Sequence, residues 1–175
     1  VKRWIRTHGL RAVTCVRGGK TRAESVQRAL KKSSSRQPWV MIHDGARPFV
    51  KMETVRDLAQ QAKKKSWDAC LLAKKVVPTI KQTQLGKTRV VRTLDRSVLY
   101  EAQTPQLFRR TSLFKAYRSL AQFKDAPTDE ASLMEAAGYP VHLVPSEEWN
   151  PKVTTVSDFE LAEGFIRRKE GMQTR

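Results

Sequence analysis

The stretch Trp39-Val40-Met41-Ile42-His43-Asp44-Gly45-Ala46-Arg47-Pro48 decides how the rest of the chain is read. Its first four residues are continuously apolar and too few for a helix. They read as a buried strand of the kind found in parallel sheets covered by helices. The run ends abruptly at His43, and in open α/β sheets ligands bind beyond the carboxyl ends of the strands, so the polar residues that follow are expected to face a crevice. Asp44 is then placed to bind Mg2+ or a substrate hydroxyl. Arg47 offers a planar cationic fork to an oxyanion or polyol, and Gly45-Ala46 lets backbone approach a ligand closely. The structural alternative is a plain β-to-α turn in which Asp44 caps and Pro48 starts the next segment. His43 reads as a satisfied strand-end histidine, and His8 and His142 as surface residues.

Outward from this strand, β and α signals alternate with short Gly or Pro punctuation, the pattern of a Rossmann-like, mainly parallel sheet with helices on both faces. Upstream, Leu10 to Val16 reads as a strand broken by Gly18-Gly19, and Thr21 with Glu24 three residues on reads as a capping box for a helix running to Lys32. Downstream come a helix over Thr54 to Ala62 and a strand over Ala69 to Val77. Short β-type pieces at Thr79 to Lys81 and Thr88 to Arg92 flank a turn containing Gly86, which predicts a protruding hairpin arm. It carries little apolar mass and needs support, for which a partner subunit is one source. Then follow a strand over Tyr100 to Phe108, helices over Ser112 to Phe123 and Asp129 to Ala137, a strand over Val141 to Val144 and a closing helix over Ser157 to Arg168. Thr128-Asp129-Glu130 reads as an N-cap with an acidic first turn. All of this fits a single domain, residues 1–175.

Composition narrows the function classes. The 175 residues are 39% hydrophobic and 29% charged, and no apolar run reaches the ~18 residues that cross a bilayer. Cys15 and Cys70 lie apart in apolar stretches, which supports neither a disulfide framework nor a zinc site. The net charge of +17 is unevenly spread: residues 1–124 hold +22 and residues 125–175 hold −5. A basic surface attracts phosphates, on nucleic acid or on small anions. The cations are scattered, and the aromatics are not interleaved with them as a stacking platform needs, so nucleic acid is not the expected partner.

Two further segments can bear chemistry. Gly18-Gly19-Lys20-Thr21 leads into a helix N-terminus whose unpaired N–H groups suit a phosphate or base edge, with Lys20 and Ser25 nearby; a plain capped helix is the alternative. Lys152, in Asn150-Pro151-Lys152-Val153-Thr154, is an isolated cation in the acidic part. Facing the same crevice as Asp44 it can neutralise charge in phosphoryl transfer; otherwise it is a surface lysine.

In order along the chain, these segments resemble the 2-C-methyl-D-erythritol 4-phosphate cytidylyltransferase family. The resemblance rests on Gly18-Gly19 with Arg22 and Ser25-Val26, Trp39-Val40 to His43-Asp44 with Ala46-Arg47-Pro48, Thr93-Leu94-Asp95-Arg96, Thr104-Pro105-Gln106, Thr128-Asp129-Glu130-Ala131 and Lys152-Val153-Thr154. It implies a nucleotidyltransferase in which the phosphate of a sugar-alcohol phosphate attacks the α-phosphate of CTP and displaces pyrophosphate, with Mg2+ present. Arg96 and Lys152 are implied to hold the substrate phosphate, Asp44, Arg47, Thr79 and Thr104 the polyol, and Gly18, Gly19, Lys20 and Ser25 the cytidine. Lys20 stands where the family often has an acidic residue. The resemblance further implies a homodimer that exchanges an arm at residues 76–95, so that Arg96 serves the neighbour's site, in a bacterial cytoplasm or plastid stroma. The family's opening strand and glycine-rich loop, bearing an Arg and a Lys, have no counterpart before Val1, which implies an N-terminally incomplete chain with little turnover of its own. Competing expectations are a ribitol-5-phosphate cytidylyltransferase, a basic nucleic-acid-binding protein and a non-catalytic relative.

Overall fold

A computed structural model describes Ile5, Thr7, Gly9, residues 12–119 and residues 127–173. In chain order the elements are α1 (Arg22–Lys32), β1 (Trp39–Ile42), α2 (Met52–Lys64), β2 (Ala69–Lys75), β3 (Lys81–Thr83), β4 (Val90–Thr93), β5 (Tyr100–Arg109), α3 (Arg110–Arg118), α4 (Glu130–Ala136), β6 (Val141–Pro145) and α5 (Val156–Gln173). The main sheet has the order β1-β5-β2-β6. β2 and β6 pair in parallel, while β5 pairs antiparallel with both β1 and β2. Three strands therefore run one way and β5 runs against them, which makes the sheet mixed within an α/β fold.

Alternation along β2 and β5 divides the core between the two faces of the sheet. Ala69 and Phe108 point to one face, where Leu30 of α1, Leu113, Ala116 and Tyr117 of α3 and Leu133 and Met134 of α4 cover them. Cys70, Leu72 and Leu107 point to the other, under Leu58 and Ala62 of α2 and beside Val144 of β6. Burial on both sides is why β2 reads as a continuous apolar run that turns polar only at Lys74-Lys75. It also pushes the Cys70 thiol up to about 12, which leaves it an inert core residue.

Caps set the helix ends near the site. Thr21 Oγ1 accepts from Glu24 N, but the Glu24 carboxylate reaches back to Lys20 N rather than to Thr21, so the box is shifted one residue into the glycine turn. Asp129 opens α4 with a capping box completed by Ser132. Glu130 behind it is buried, with its carboxylate 2.7 Å from Arg22 and accepting from the Tyr117 hydroxyl at 2.9 Å. Burial and the Glu130 charge raise the Tyr117 phenol well above its ordinary range.

The expected strand over Leu10 to Val16 is not found: Leu10 and Arg11 lie outside the described residues, and residues 13–16 take no place in either sheet. Val13 and Val16 are exposed, and an apolar run without a neighbouring ladder does not become a strand. Likewise the helix expected over Ser112 to Phe123 is described as far as Arg118, and residues 120–126 lie outside the described residues. The arm is present as β3 paired antiparallel with β4, and all seven of its strand residues are exposed.

Candidate active site

The register of β1 against β5 carries Asp44 to Thr104. Ile42 faces Gln106, and β5 shifts register against β2 between Leu71 and Ala73, a stretch that takes in the Thr104-Pro105 peptide bond, which is cis. Pro105 has no N–H to continue a ladder there. Asp44 N donates to Thr104 Oγ1 at 3.0 Å. His43 closes the turn: its Nε2 lies 2.9 Å from the Arg47 carbonyl and its Nδ1 3.1 Å from Thr104 Oγ1. A carbonyl only accepts, so Nε2 carries the hydrogen, and in the neutral ring Nδ1 receives the Thr104 hydroxyl. Thr104, expected to touch the polyol, thus has its hydroxyl committed beneath the turn. His43 is the satisfied strand-end residue expected, and it holds the turn.

Three elements converge on this turn. Val153 N donates to the Ala46 carbonyl at 2.8 Å, drawing the segment before α5 against residues 44–47. Lys152 Nζ then sits 3.2 Å from Asp44 Oδ2, across 108 residues of sequence, and Arg47 Nε lies 4.0 Å from the same oxygen. Arg47 is buried, with Nη1 on the Asn150 carbonyl at 2.7 Å and Nη2 3.9 Å from Glu101. The resulting row alternates in sign: Lys152, Asp44, Arg47, Glu101. Half-exposed Lys152 and largely buried Asp44 leave the row open to solvent at the lysine end.

Asp158 braces the other side of Lys152. Its Oδ2 accepts from Thr154 N, Thr154 Oγ1 and Thr155 N, while Asp158 N donates to Thr155 Oγ1. Those bonds, the Thr154 backbone N–H first, hold its carboxyl down at about 2, below its ordinary 3.8. A depressed carboxylate stabilises the fold above its unfolded pKa and loses that contribution as pH falls toward the folded one. Asp158→Asn is therefore expected to melt at a lower temperature than the parent above about pH 4.5, with the two curves converging near pH 2. A gap that persists unchanged to pH 2 in melting curves refutes this role.

The glycine turn forms a separate hollow lined by Arg17, Gly18, Gly19, Lys20 and Arg28. Gly19 N donates to Ser25 Oγ at 2.9 Å, and Ser25 Oγ donates to the Thr21 carbonyl. Arg28 Nη1 reaches the Gly18 carbonyl at 2.6 Å. A Cβ on Gly19 would stand 2.3 Å from Glu24 Cβ, whereas one on Gly45 meets nothing within 4 Å. Gly19→Ala is expected to cost about 1–3 kcal/mol through overpacking and Gly45→Ala close to nothing. Urea unfolding of both variants checks the pair, and equal midpoints contradict it.

Arg96 and Thr79 stand apart from this cluster. Arg96 Nη1 donates to the Val77 carbonyl at the base of the arm, and Thr79 is exposed in the link between β2 and β3. Nor does Asp44 fit a metal ligand: its carboxylate already lies between two cations, where a divalent ion meets repulsion. Among the described residues no group of three or more His, Cys, Asp or Glu could hold a metal ion, and no helix is long and apolar enough to cross a membrane.

Residues 3–168 match the profile of the family described as 2-C-methyl-D-erythritol 4-phosphate cytidylyltransferase. A curated relative of that name from Mannheimia succiniciproducens is 41% identical over 157 residues, covering 90% of this chain and 67% of the relative. One from Bacillus cereus is 41% identical over 155 residues, covering 89% of this chain and 66% of the relative. The chain thus spans about two thirds of their length. The crystal structure of the enzyme of that name from Thermus thermophilus superposes with a TM-score of 0.75 at 33% identity, covering 87% of this chain and 72% of that one. The 4-diphosphocytidyl-2C-methyl-D-erythritol synthase from Anaerococcus prevotii gives 0.82 at 26% identity, covering 95% and 77%. Sequence profile, relatives and fold agree, and the chain belongs to the 2-C-methyl-D-erythritol 4-phosphate cytidylyltransferase family.

Proposed function

We propose that this chain serves the transfer of CMP from CTP to 2-C-methyl-D-erythritol 4-phosphate, releasing pyrophosphate, in isoprenoid precursor synthesis. The observation that carries the reading is the Lys152–Asp44–Arg47 row at the carboxyl end of β1, assembled from residues more than 100 positions apart. A polyol phosphate suits it: a hydroxyl can replace Lys152 as the partner of Asp44, and the freed ammonium can take the phosphate. Catalysis is then largely positioning. A phosphate oxygen of the polyol is held in line with the α-phosphorus of CTP, the new P–O bond forms, and the bond to pyrophosphate breaks.

In this reading the Gly18–Lys20 hollow takes the cytidine, and Lys20 lends a cation to the nucleotide side. Arg96, which stands apart from Asp44 in its own chain, reaches a neighbour's site through an exchanged arm in a homodimer. Thr79 on the same arm does so too. Mg2+ would accompany the triphosphate and neutralise its charge, and no described side chain is assigned to hold it. The setting is a bacterial cytosol or plastid stroma.

The test is a coupled assay of pyrophosphate release by the protein expressed from its complete reading frame, with CTP, Mg2+ and either 2-C-methyl-D-erythritol 4-phosphate or ribitol 5-phosphate. Preference for the first supports the reading. Preference for ribitol 5-phosphate replaces the acceptor, and no release with either overturns the proposal.

A further inference from the structure

Among the described residues, two buried polar atoms beside the Lys152–Asp44–Arg47 row have no hydrogen-bond partner within the protein: Arg47 Nε and Asn150 Oδ1. A buried amide oxygen without a protein partner is uncommon, and the rest of Asn150 is fully engaged. Nδ2 donates to the Thr104 carbonyl at 2.9 Å and to Gln103 Oε1 at 3.3 Å, which ties the residue to β5. Its own carbonyl receives Arg47 Nη1 at 2.7 Å, which ties it to the turn after β1. Two residues on stands Lys152, whose ammonium ends 3.2 Å from Asp44. Asn150 thus adds a link among three pieces: the irregular part of β5, the Asp44–Arg47 turn and the lysine segment.

We propose that Asn150 is a positioning residue of the transfer reaction, acting through Lys152: it sets the lysine's distance from Arg47 and Asp44 while touching neither substrate. The inference rests on the transfer reading given above. Asn150 is 5% exposed, and its amide nitrogen is spent on Gln103 and Thr104 rather than on a ligand. Lys152 itself is half-exposed on a long flexible stem, so its backbone anchor and its ion pair with Asp44 together decide where its charge sits. Val153 N on the Ala46 carbonyl and the Asp158 cap hold the segment downstream of the lysine, so Asn150 is the upstream brace. Misplacing a catalytic group by about 1 Å costs on the order of 10²-fold in rate.

The test is a double-mutant cycle on the complete protein, using Asn150→Ala, Lys152→Ala and both together, with kcat and KM for CTP and for the polyol phosphate measured separately. Asn150→Ala is expected to lower kcat about 10²-fold with the KM for CTP unchanged, and to add nothing to the loss in Lys152→Ala. Asn150→Asp keeps the volume but faces the Thr104 carbonyl with an acceptor instead of a donor, so it is expected to show the same fall in kcat under conditions where circular dichroism shows the parent's fold. An unchanged kcat in a folded variant overturns the inference. So does a full additional loss in the Lys152→Ala background, which makes Asn150 act on Arg47 or Asp44 instead. If the parent protein shows no transfer at all, the functional reading falls and the inference falls with it.

Discussion

Replacing Lys152 with alanine is expected to slow CMP transfer by about 10²-fold or more, because removing a preorganised charge aimed at a developing phosphoryl charge costs that much. The geometry sharpens the expectation. Lys152 is paired with Asp44 at 3.2 Å in the ligand-free chain, so the variant also leaves Asp44 near Arg47 alone. Ground-state affinity for CTP is expected to hold, since no described contact joins Lys152 to the Gly18–Lys20 hollow. Steady-state kinetics on the complete protein reads both quantities. An unchanged kcat removes Lys152 from the mechanism, and a loss confined to the KM for CTP assigns it to the wrong substrate. Lys152→Arg is expected to recover little, because a planar fork does not substitute for a compact ammonium beside the Asp44 carboxylate.

The second large effect concerns stability. Phe108 is fully buried on β5, between α1, α3 and α4, and its strand joins β1 to β2. Phe108→Ala is expected to destabilise the fold by about 3–5 kcal/mol, the transfer cost of the ring plus the cavity left behind. For a marginally stable domain of this size that is a large part of the total. Phe108→Leu keeps most of the volume and is expected to lose much less. Chemical denaturation of the two variants measures the difference, and a Phe108→Ala loss under about 1 kcal/mol would mean that α3 and α4 collapse into the space.

Much of the fold was legible because burial leaves a pattern. The strand at Trp39 to Ile42 is found at the expected residues, and the one at Ala69 ends two residues early, where Lys74-Lys75 carries the chain to the surface. The direction of β5 was not legible. Its apolar residues say that it is buried, while its antiparallel course depends on which neighbours it meets after the arm. The site divides in the same way. Asp44, Arg47 and Lys152 have chemistry that can be named from the residue type and the strand end. Asn150 acts through Arg47 and Thr104, 103 and 46 residues away, and such a role leaves no local signature. Asp158 does leave one, because Thr155 three residues before it forms a reciprocal capping pair with it at the start of the closing helix. Asp44's place between two cations became definite only once Lys152 was located, and those two cations stand against the metal role that the carboxylate suggested by itself.

The β3–β4 ribbon has every strand residue on the surface, so its few ladder bonds and the exposed Lys81–Thr93 and Arg92–Gln82 side-chain bonds are what close it. Its opening is therefore uncoupled from the melting of the two cores. In deuterated buffer its amides should exchange orders of magnitude sooner than those of β2, at a rate insensitive to mutations such as Phe108→Ala. Slowing of that exchange as protein concentration is raised would report another chain closing over the ribbon, segment by segment and without a crystal.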